Sequence, residues 1–152
     1  MKIVIIGCGR VGSVLAESLD HDGHEVTIVD LSVRAFDRLP DDFHGQAIRG
    51  DGTDEATLRR VGVAEADVLL ALTEGDNRNV MAAQVAVENL GVKKAMAKVN
   101  DPVRAAAYAE LGIATICRTT MLSDAIEGFL GLAPSGVPSV IDAVAPHHER
   151  EG

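Results

Sequence analysis

The sequence is poor in the residues that mark secreted or membrane-spanning proteins. It has two cysteines, one tyrosine, three phenylalanines and no tryptophan among its 152 residues. Two isolated cysteines, Cys8 and Cys117, do not suggest a disulfide framework. No apolar run approaches the roughly eighteen residues of a membrane span, and the N-terminus lacks the layout of a signal peptide. These absences predict a cytoplasmic protein with no direct membrane insertion.

Positive charge is also scarce. The sequence has 14 lysine and arginine residues against 23 aspartate and glutamate residues, so its formal net charge is −9. Such a surface repels phosphate backbones, and no basic stripe with interleaved aromatic residues is present. Nucleic-acid binding is therefore not expected. Hydrophobic residues make up 47% of the sequence, which is enough apolar material for one compact domain.

The first thirty residues carry the strongest pattern in the chain. The apolar run Lys2–Ile6 predicts a strand buried on both faces of a parallel sheet. The glycines at 7, 9 and 12 follow at once, with the spacing of the dinucleotide-binding fingerprint. Apolar residues at helical spacing come next, and Glu25–Asp30 is typical of a second strand that ends in a carboxylate. This context predicts nucleotide binding, with a tight turn that holds no ligand as the alternative.

Each residue of this pattern has a physical purpose. Gly7 permits the tight turn out of the strand, Gly9 allows close approach of a pyrophosphate, and Gly12 allows close packing of helix on strand. The first N–H groups of the helix attract phosphates. Asp30 is placed to accept ribose hydroxyls, which favours NAD or an adenine nucleotide over NADP. Cys8 is interpreted as a small residue tolerated in the loop, with a redox-sensing thiolate as the alternative.

Strand and helix patterns alternate along the rest of the chain. Further strands are predicted at Gln46–Arg49, Ala66–Leu72, Lys93–Val99 and Ile113–Cys117. Helices are predicted from Ser32 (as cap) to Leu39, at Glu55–Arg60 after a Thr53 or Asp54 cap, at Asn77–Leu90, and from Pro102 to about Glu110. This alternation predicts an α/β, Rossmann-like, doubly wound parallel sheet of six strands in the order 3-2-1-4-5-6.

The ligand crevice of such a sheet lies outside the carboxyl ends of its strands. Asp51, Gly52, Thr73 and Lys98 all lie at or near predicted strand ends. We therefore expect them to surround one site together with the glycine loop and Asp30.

A final helix at 119–130 carries a broad apolar stripe. Its members are Met121, Leu122, Ala125, Ile126, Phe129 and Leu130. The helix either packs on its own sheet or crosses onto a partner. The turn-rich sequence after it predicts a folded domain over 1–130 and a flexible tail over 131–152. The adjacent His147 and His148 lack spaced partner ligands, so no metal site is predicted.

Several local motifs together resemble a known family. They are Gly7–Gly12 with an arginine inside the fingerprint, Gly50–Asp54, Ala71–Thr73 followed by Asp76 and Asn79, and Ala97–Pro102. From about Lys2 to Leu130 the chain resembles the RCK or KTN (TrkA-N) nucleotide-binding domains of Trk/Ktr-type potassium transport systems.

The resemblance implies roles for individual residues. Arg10 would contact the terminal phosphate, Asp51 the adenine side, and Thr73 the phosphates, while Asn79 would brace the glycine loop and Lys98 would face the phosphates. The alternatives are a solvated arginine, an ordinary turn aspartate and an exposed lysine. The complete predicted site comprises Gly7, Cys8, Gly9, Arg10, Val11, Gly12, Asp30, Leu31, Ser32, Asp51, Gly52, Thr53, Leu72, Thr73, Asn79 and Lys98.

The resemblance also implies a function. It suggests a cytoplasmic regulatory subunit, not an enzyme, that binds NAD(H) or ATP/ADP and gates a membrane potassium channel or transporter by conformational change. The last helix would cross to a neighbouring subunit, with dimers assembling into an octameric ring. Many relatives carry Pro-Glu where this chain has Arg118-Thr119, so a metal-assisted phosphate contact is not expected there.

Three questions stay open from the sequence. The chain ends about twenty residues after the last helix, which implies the first domain of a longer regulator or a naturally short one. The alternative function is the cofactor-binding domain of an NAD-dependent oxidoreductase, which needs a catalytic acid or base from elsewhere. A scaffold that nucleotide merely stabilises is a third possibility.

Overall fold

The computed structural model describes residues 1–143, which divide into two compact units. The first unit spans Met1–Lys98 and the second begins at Val99. No helix within residues 1–143 combines the length and the apolarity needed to cross a bilayer.

The first unit is a parallel sheet with its connecting helices. Its strands are β1 (Lys2–Ile6), β2 (Glu25–Asp30), β3 (Gln46–Arg49), β4 (Val68–Ala71) and β5 (Ala95–Lys98), and its α-helices are α1 (Arg10–His21), α2 (Glu55–Arg60) and α3 (Asp76–Gln84). The strand order is β3-β2-β1-β4-β5 and every pairing is parallel. The order reverses between β1 and β4, as the sequence predicts. The Rossmann-like fold class is confirmed.

The central strand β1 anchors the core. Four consecutive residues, Ile3 to Ile6, are at most 4% exposed, so both faces of the strand are covered. Ile5 lies beside Ile28 on one side and Leu70 on the other. A run buried on both faces is the expected pattern for the central strand of a parallel sheet, because helices pack on each side.

The second unit contains α4 (Pro102–Glu110), β6 (Ala114–Ile116), α5 (Arg118–Phe129) and β7 (Val140–Ile141). Asp101 caps α4 by accepting hydrogen bonds from two backbone N–H groups, and Pro102 occupies the first turn. The short β7 pairs antiparallel with β6, matching Thr115 with Ile141. Part of the predicted tail therefore forms a strand. Residues 144–152, including His147 and His148, lie outside the described part of the chain, so the domain boundary stays a prediction.

The apolar stripe of α5 is exposed. Its members Met121, Leu122, Ile126, Phe129 and Leu130 are 45%, 56%, 59%, 89% and 62% exposed, respectively. The stripe is not buried within residues 1–143, so the alternative in which the helix packs on its own sheet is wrong.

Two predicted helices differ from the structure. The predicted helix from Ser32 is a short 3-10 helix, Val33–Arg38, and the Ser32 side chain does not cap it. The Ser32 backbone N–H instead donates to Asp30, which the local sequence pattern does not reveal. The predicted helix over 77–90 is α3 followed by a π-helical turn at Val85–Asn89. That turn keeps the chain helical to Asn89 but changes its hydrogen-bond spacing.

We predict that Gly12→Ala destabilises the protein. A Cβ on Gly12 would collide with the carbonyl oxygen of Gly7, whereas a Cβ on Gly9 would have no neighbour within 4 Å. Overpacking of this kind costs about 1–3 kcal/mol. Urea unfolding should show that loss for Gly12→Ala, and a change within ~0.5 kcal/mol for the control Gly9→Ala. Equal stability of the two variants would contradict the close helix–strand contact.

Candidate nucleotide-binding cleft

A cleft opens at the carboxyl ends of β1 to β4. It has a volume of about 240 Å³. Its lining residues are Ile6, Gly7, Gly9, Val29, Asp30, Leu31, Gly50, Asp51, Gly52, Thr53, Leu72, Thr73, Glu74 and Arg78. Since all of them precede Val99, the cleft belongs to the first unit alone. Its position beside the reversal of strand order is the usual ligand crevice of this sheet type.

The glycine loop between β1 and α1 forms one side of the cleft. Gly7 adopts φ +103°, and its N–H donates to the Val29 carbonyl oxygen at 2.7 Å. A Cβ on Gly7 would stand 2.9 Å from the Thr73 backbone nitrogen, so a side chain is excluded both by conformation and by space. The loop therefore runs directly against the chain that follows β4.

The N-terminus of α1 has no side-chain cap. Gly9 is the N-cap residue, and the first turn contains no acidic residue. By contrast, Asp54 caps α2 and Asp101 caps α4. The first N–H groups of a helix carry partial positive charge and need acceptors. Because Gly9 supplies no side chain, these groups of α1 are left to an external acceptor such as a phosphate.

Asp30 joins the two loops that border the cleft. Its Oδ2 accepts from the Cys8 backbone N–H at 2.8 Å, and its Oδ1 accepts from the Ser32 backbone N–H at 2.8 Å. A carboxylate offers about four lone-pair positions. Each oxygen thus keeps capacity for a further donor, such as a ribose hydroxyl, while its position is fixed by the two amides.

Asp51 stands in a tight turn at the end of β3. Its Oδ1 accepts from the Thr53 hydroxyl at 2.7 Å and from the Thr53 backbone N–H at 2.9 Å. These two hydrogen bonds, with a contribution from the positive charge of Arg78, lower the pKa of Asp51 below its ordinary value. The side chain is therefore an anion at neutral pH. A Cβ on the next residue, Gly52, would collide with Ile6, so the turn packs tightly on β1.

Asn79 holds the loop between β4 and α3. Its Oδ1 accepts from the backbone N–H and the hydroxyl of Thr73 at 2.8 and 2.7 Å. Its Nδ2 donates to the carbonyl oxygens of Thr73 and Lys98 at 2.9 and 2.8 Å. Asn79 is fully buried. It therefore braces the loop after β4 directly, and that loop lies against Gly7 of the glycine loop, so any bracing of the glycine loop by Asn79 acts through Thr73.

Lys98 is neither an exposed lysine nor a lining residue of the cleft. Only 4% of the residue is exposed, and its Nζ lies 3.3 Å from Glu74 Oε1. Glu74 does line the cleft. The lysine therefore pairs with an acidic residue of the cleft lining, and the orientation of its amine toward phosphates stays a prediction.

Cys8 belongs to the core of the first unit. It is fully buried, and its Sγ lies 3.3 Å from the Ala35 carbonyl oxygen. Burial, reinforced by the negative charge of Asp30, raises the pKa of the thiol to about 11. A reactive thiolate needs a depressed pKa and solvent access. The redox-sensing alternative is therefore wrong, and only the backbone N–H of Cys8 serves the site.

The structure brings together most of the predicted site. Gly7, Gly9, Asp30, Leu31, Asp51, Gly52, Thr53, Leu72 and Thr73 line the cleft. Cys8, Arg10, Val11, Gly12, Ser32, Asn79 and Lys98 do not line it. Arg10 and Val11 are exposed on the first turn of α1, while Gly12 is buried below it. The assignment of this set as a binding site stays a prediction.

Sequence reasoning missed five lining residues, namely Ile6, Val29, Gly50, Glu74 and Arg78. The first three are each next to a residue that the sequence analysis placed at a strand end. Their position at the strand ends could therefore have predicted them. Glu74 and Arg78 lie in and after the loop that follows β4. No local signal there indicates which side chains turn into the cleft.

The parallel sheet, the glycine loop and the cleft at its carboxyl edge define a Rossmann-like domain of the nucleotide-binding class. Residues 3–119 match the family model described as the TrkA-N domain. The chain therefore belongs to the TrkA-N family.

A curated protein with a similar sequence supports this assignment. The chain is 43% identical over 136 residues to the Trk system potassium uptake protein TrkA of Streptomyces coelicolor, covering 90% of this chain and 60% of that protein. The chain thus spans about three-fifths of the length of that curated relative.

Solved structures share the fold. The TrkA-N domain of the inner membrane protein YbaL from Escherichia coli matches with a TM-score of 0.75 and 18% identity, over 85% of this chain and 96% of that one. The Kef C-terminal domain of Shewanella denitrificans, solved in its AMP-bound form, matches with a TM-score of 0.68 and 22% identity, over 86% and 82%. At these identities the similarity shows the fold alone.

We predict that Asn79→Ala destabilises the protein by about 2–4 kcal/mol, because it leaves buried backbone groups at Thr73 and Lys98 without partners. Asn89→Ala is the matched control. The Asn89 side chain donates to Glu55 at an exposed position, so its loss should cost no more than ~0.5 kcal/mol. Urea unfolding measures both values. A loss below about 1 kcal/mol for Asn79→Ala would show that the loop does not depend on this network.

Proposed function

We propose that this chain is the nucleotide-sensing part of a regulator of potassium transport. One observation carries the proposal: the uncapped N-terminus of α1 and the Asp30 carboxylate border the same cleft. The amides suit phosphates, and the carboxylate suits the ribose of an adenosine. The ligand is NAD(H) or ATP/ADP, since these share the adenosine that Asp30 would hold.

Membership of the TrkA-N family supports the potassium-transport part of the proposal. The Streptomyces coelicolor relative is named a Trk system potassium uptake protein. In this proposal the chain acts by binding rather than by catalysis, on the cytoplasmic side of a membrane potassium channel or transporter. Nucleotide exchange changes the transporter only if the ligands differ in their affinity for two conformations.

The exposed stripe of α5 supports assembly with further copies. Large apolar side chains with 45% to 89% exposure are costly to leave in water. We propose that α5 crosses onto a second copy of the chain and that such dimers join into a ring, an octamer as the family resemblance implies. Conformational change in the cleft would then reach the transporter through the ring.

We predict that Asp30→Asn weakens binding of ATP, ADP, NAD and NADH by roughly tenfold to a hundredfold, because a charge-assisted hydrogen bond to ribose is lost. Gly9→Ala tests the phosphate side independently, since its Cβ has no protein neighbour and would stand where the loop meets the ligand. Isothermal titration calorimetry measures both. If the wild-type chain shows no saturable binding of any of the four nucleotides, the proposal fails.

The link to potassium transport needs a measurement in cells. Replacing Asp30 by Asn in the chromosomal gene should change the rate of potassium uptake by about fivefold or more, since coupling between sites is typically 1–3 kcal/mol. Lys93→Gln, at an exposed position before β5 and away from the cleft, is the control. Normal uptake and normal growth at low potassium in the Asp30→Asn strain would contradict a gating role. An assay of hydride transfer with alcohols and hydroxy acids tests the oxidoreductase alternative.

A further inference from the structure

Arg78 brings a positive charge to the cleft. It lies in the first turn of α3 and lines the cleft. Its Cγ, Cδ and Cβ atoms lie 3.5, 3.6 and 3.7 Å from the position that a Cβ on Gly75 would occupy. These are ordinary van der Waals distances, so the arginine stem lies alongside Gly75 in the loop between β4 and α3.

The charges around the cleft are uneven. Among the described residues that line it, Asp30, Asp51 and Glu74 are acidic, and Arg78 is the one basic residue. Glu74 is paired with Lys98. Without Arg78 the remaining charged lining would be acidic and would repel phosphate groups. Arg78 is therefore the lining residue whose charge attracts the phosphate groups of a ligand in this cleft.

The guanidinium of Arg78 is free to meet a ligand. Within residues 1–143 it forms no hydrogen bond and no ion pair. Its positive charge nevertheless acts inside the cleft, because it adds to the Thr53 hydrogen bonds that lower the pKa of Asp51. Arginine binds phosphate through two parallel N–H bonds, with both charge and geometry in its favour.

The position of Arg78 indicates which phosphates it would meet. The glycine loop follows β1 and would meet the phosphate nearest the start of α1. Arg78 lies in the first turn of α3, the helix that follows β4, and β4 is the neighbouring strand on the other side of the reversal point. In NAD⁺ the groups beyond the pyrophosphate are a neutral ribose and a cationic nicotinamide, and a guanidinium repels such a cation. In ADP the second phosphate is instead terminal and carries an additional anionic oxygen, and in ATP a third phosphate follows it.

We propose that Arg78 is a specificity-determining residue of this cleft, which binds the outer phosphates of an adenosine di- or triphosphate and disfavours NAD⁺. The proposal rests on the nucleotide-binding function put forward above and names the ligand class for it. It assigns the first phosphate to the glycine loop and the outer phosphates to Arg78.

The test is a set of dissociation constants for AMP, ADP, ATP and NAD⁺, measured by calorimetry with the wild-type chain and with Arg78→Gln. We expect ADP and ATP to bind about tenfold more weakly to the variant, while AMP changes by no more than about twofold. The preference for ATP over NAD⁺ should shrink by a similar factor. The dependence of ATP affinity on salt should also become shallower, because one screened charge is removed.

Two further variants sharpen the test. Lys93→Gln removes the same charge at an exposed site before β5, so it should leave all four affinities within about twofold. Arg78→Lys keeps the charge but loses the planar fork, so it should recover part of the ATP affinity.

The outcomes separate this proposal from the general function. Equal weakening of AMP and ATP by Arg78→Gln, or no weakening of ATP, would overturn the role of Arg78 while leaving nucleotide binding intact. A wild-type preference for NAD⁺ over ADP and ATP would also overturn it. A wild-type chain that binds none of the four ligands would instead refute the proposed function itself.

Discussion

The carboxylate of Asp30 is the constraint on which the cleft depends. It stands at the end of β2 and accepts one backbone N–H from the glycine loop, at Cys8, and one from the following loop, at Ser32. Backbone N–H groups at the end of a sheet have no strand partner, so each needs another acceptor. By satisfying two of them, Asp30 fixes the distance between the loops, and the same oxygens remain open to ribose hydroxyls.

The opposite side of the cleft is fixed by a second polar group. Asn79 is fully buried and its amide makes four hydrogen bonds, three to Thr73 and one to the Lys98 carbonyl oxygen. The loop after β4 in turn touches Gly7 closely enough to exclude a side chain there. Two buried or half-buried side chains, one acid and one amide, therefore hold three of the four loops around the cleft, those after β1, β2 and β4. Rigid positioning of this kind reduces the entropy lost when a ligand binds.

Several features of the fold and the site could be predicted from local patterns. The apolar run of β1, the glycine spacing after it and the acid that ends β2 each report on their own short segment, so they required no knowledge of the rest of the chain. The same logic failed wherever side-chain direction mattered. Lys98 is charged and stands at a strand end, yet it is buried against Glu74. Cys8 lies at a helix N-terminus, yet its thiol faces the core.

The sequence alone determined the order of strands and helices and the edge of the sheet at which the cleft opens. These follow from hydrophobic periodicity and from the right-handed parallel connections that such periodicity imposes. Only the tertiary structure decided that Arg78 rather than Lys98 lines the cleft, that Asn79 braces the loop after β4, and that the apolar stripe of α5 is exposed. The direction of each of these side chains depends on contacts between segments that are distant in the chain. The spacing of residues within one short segment does not determine such contacts.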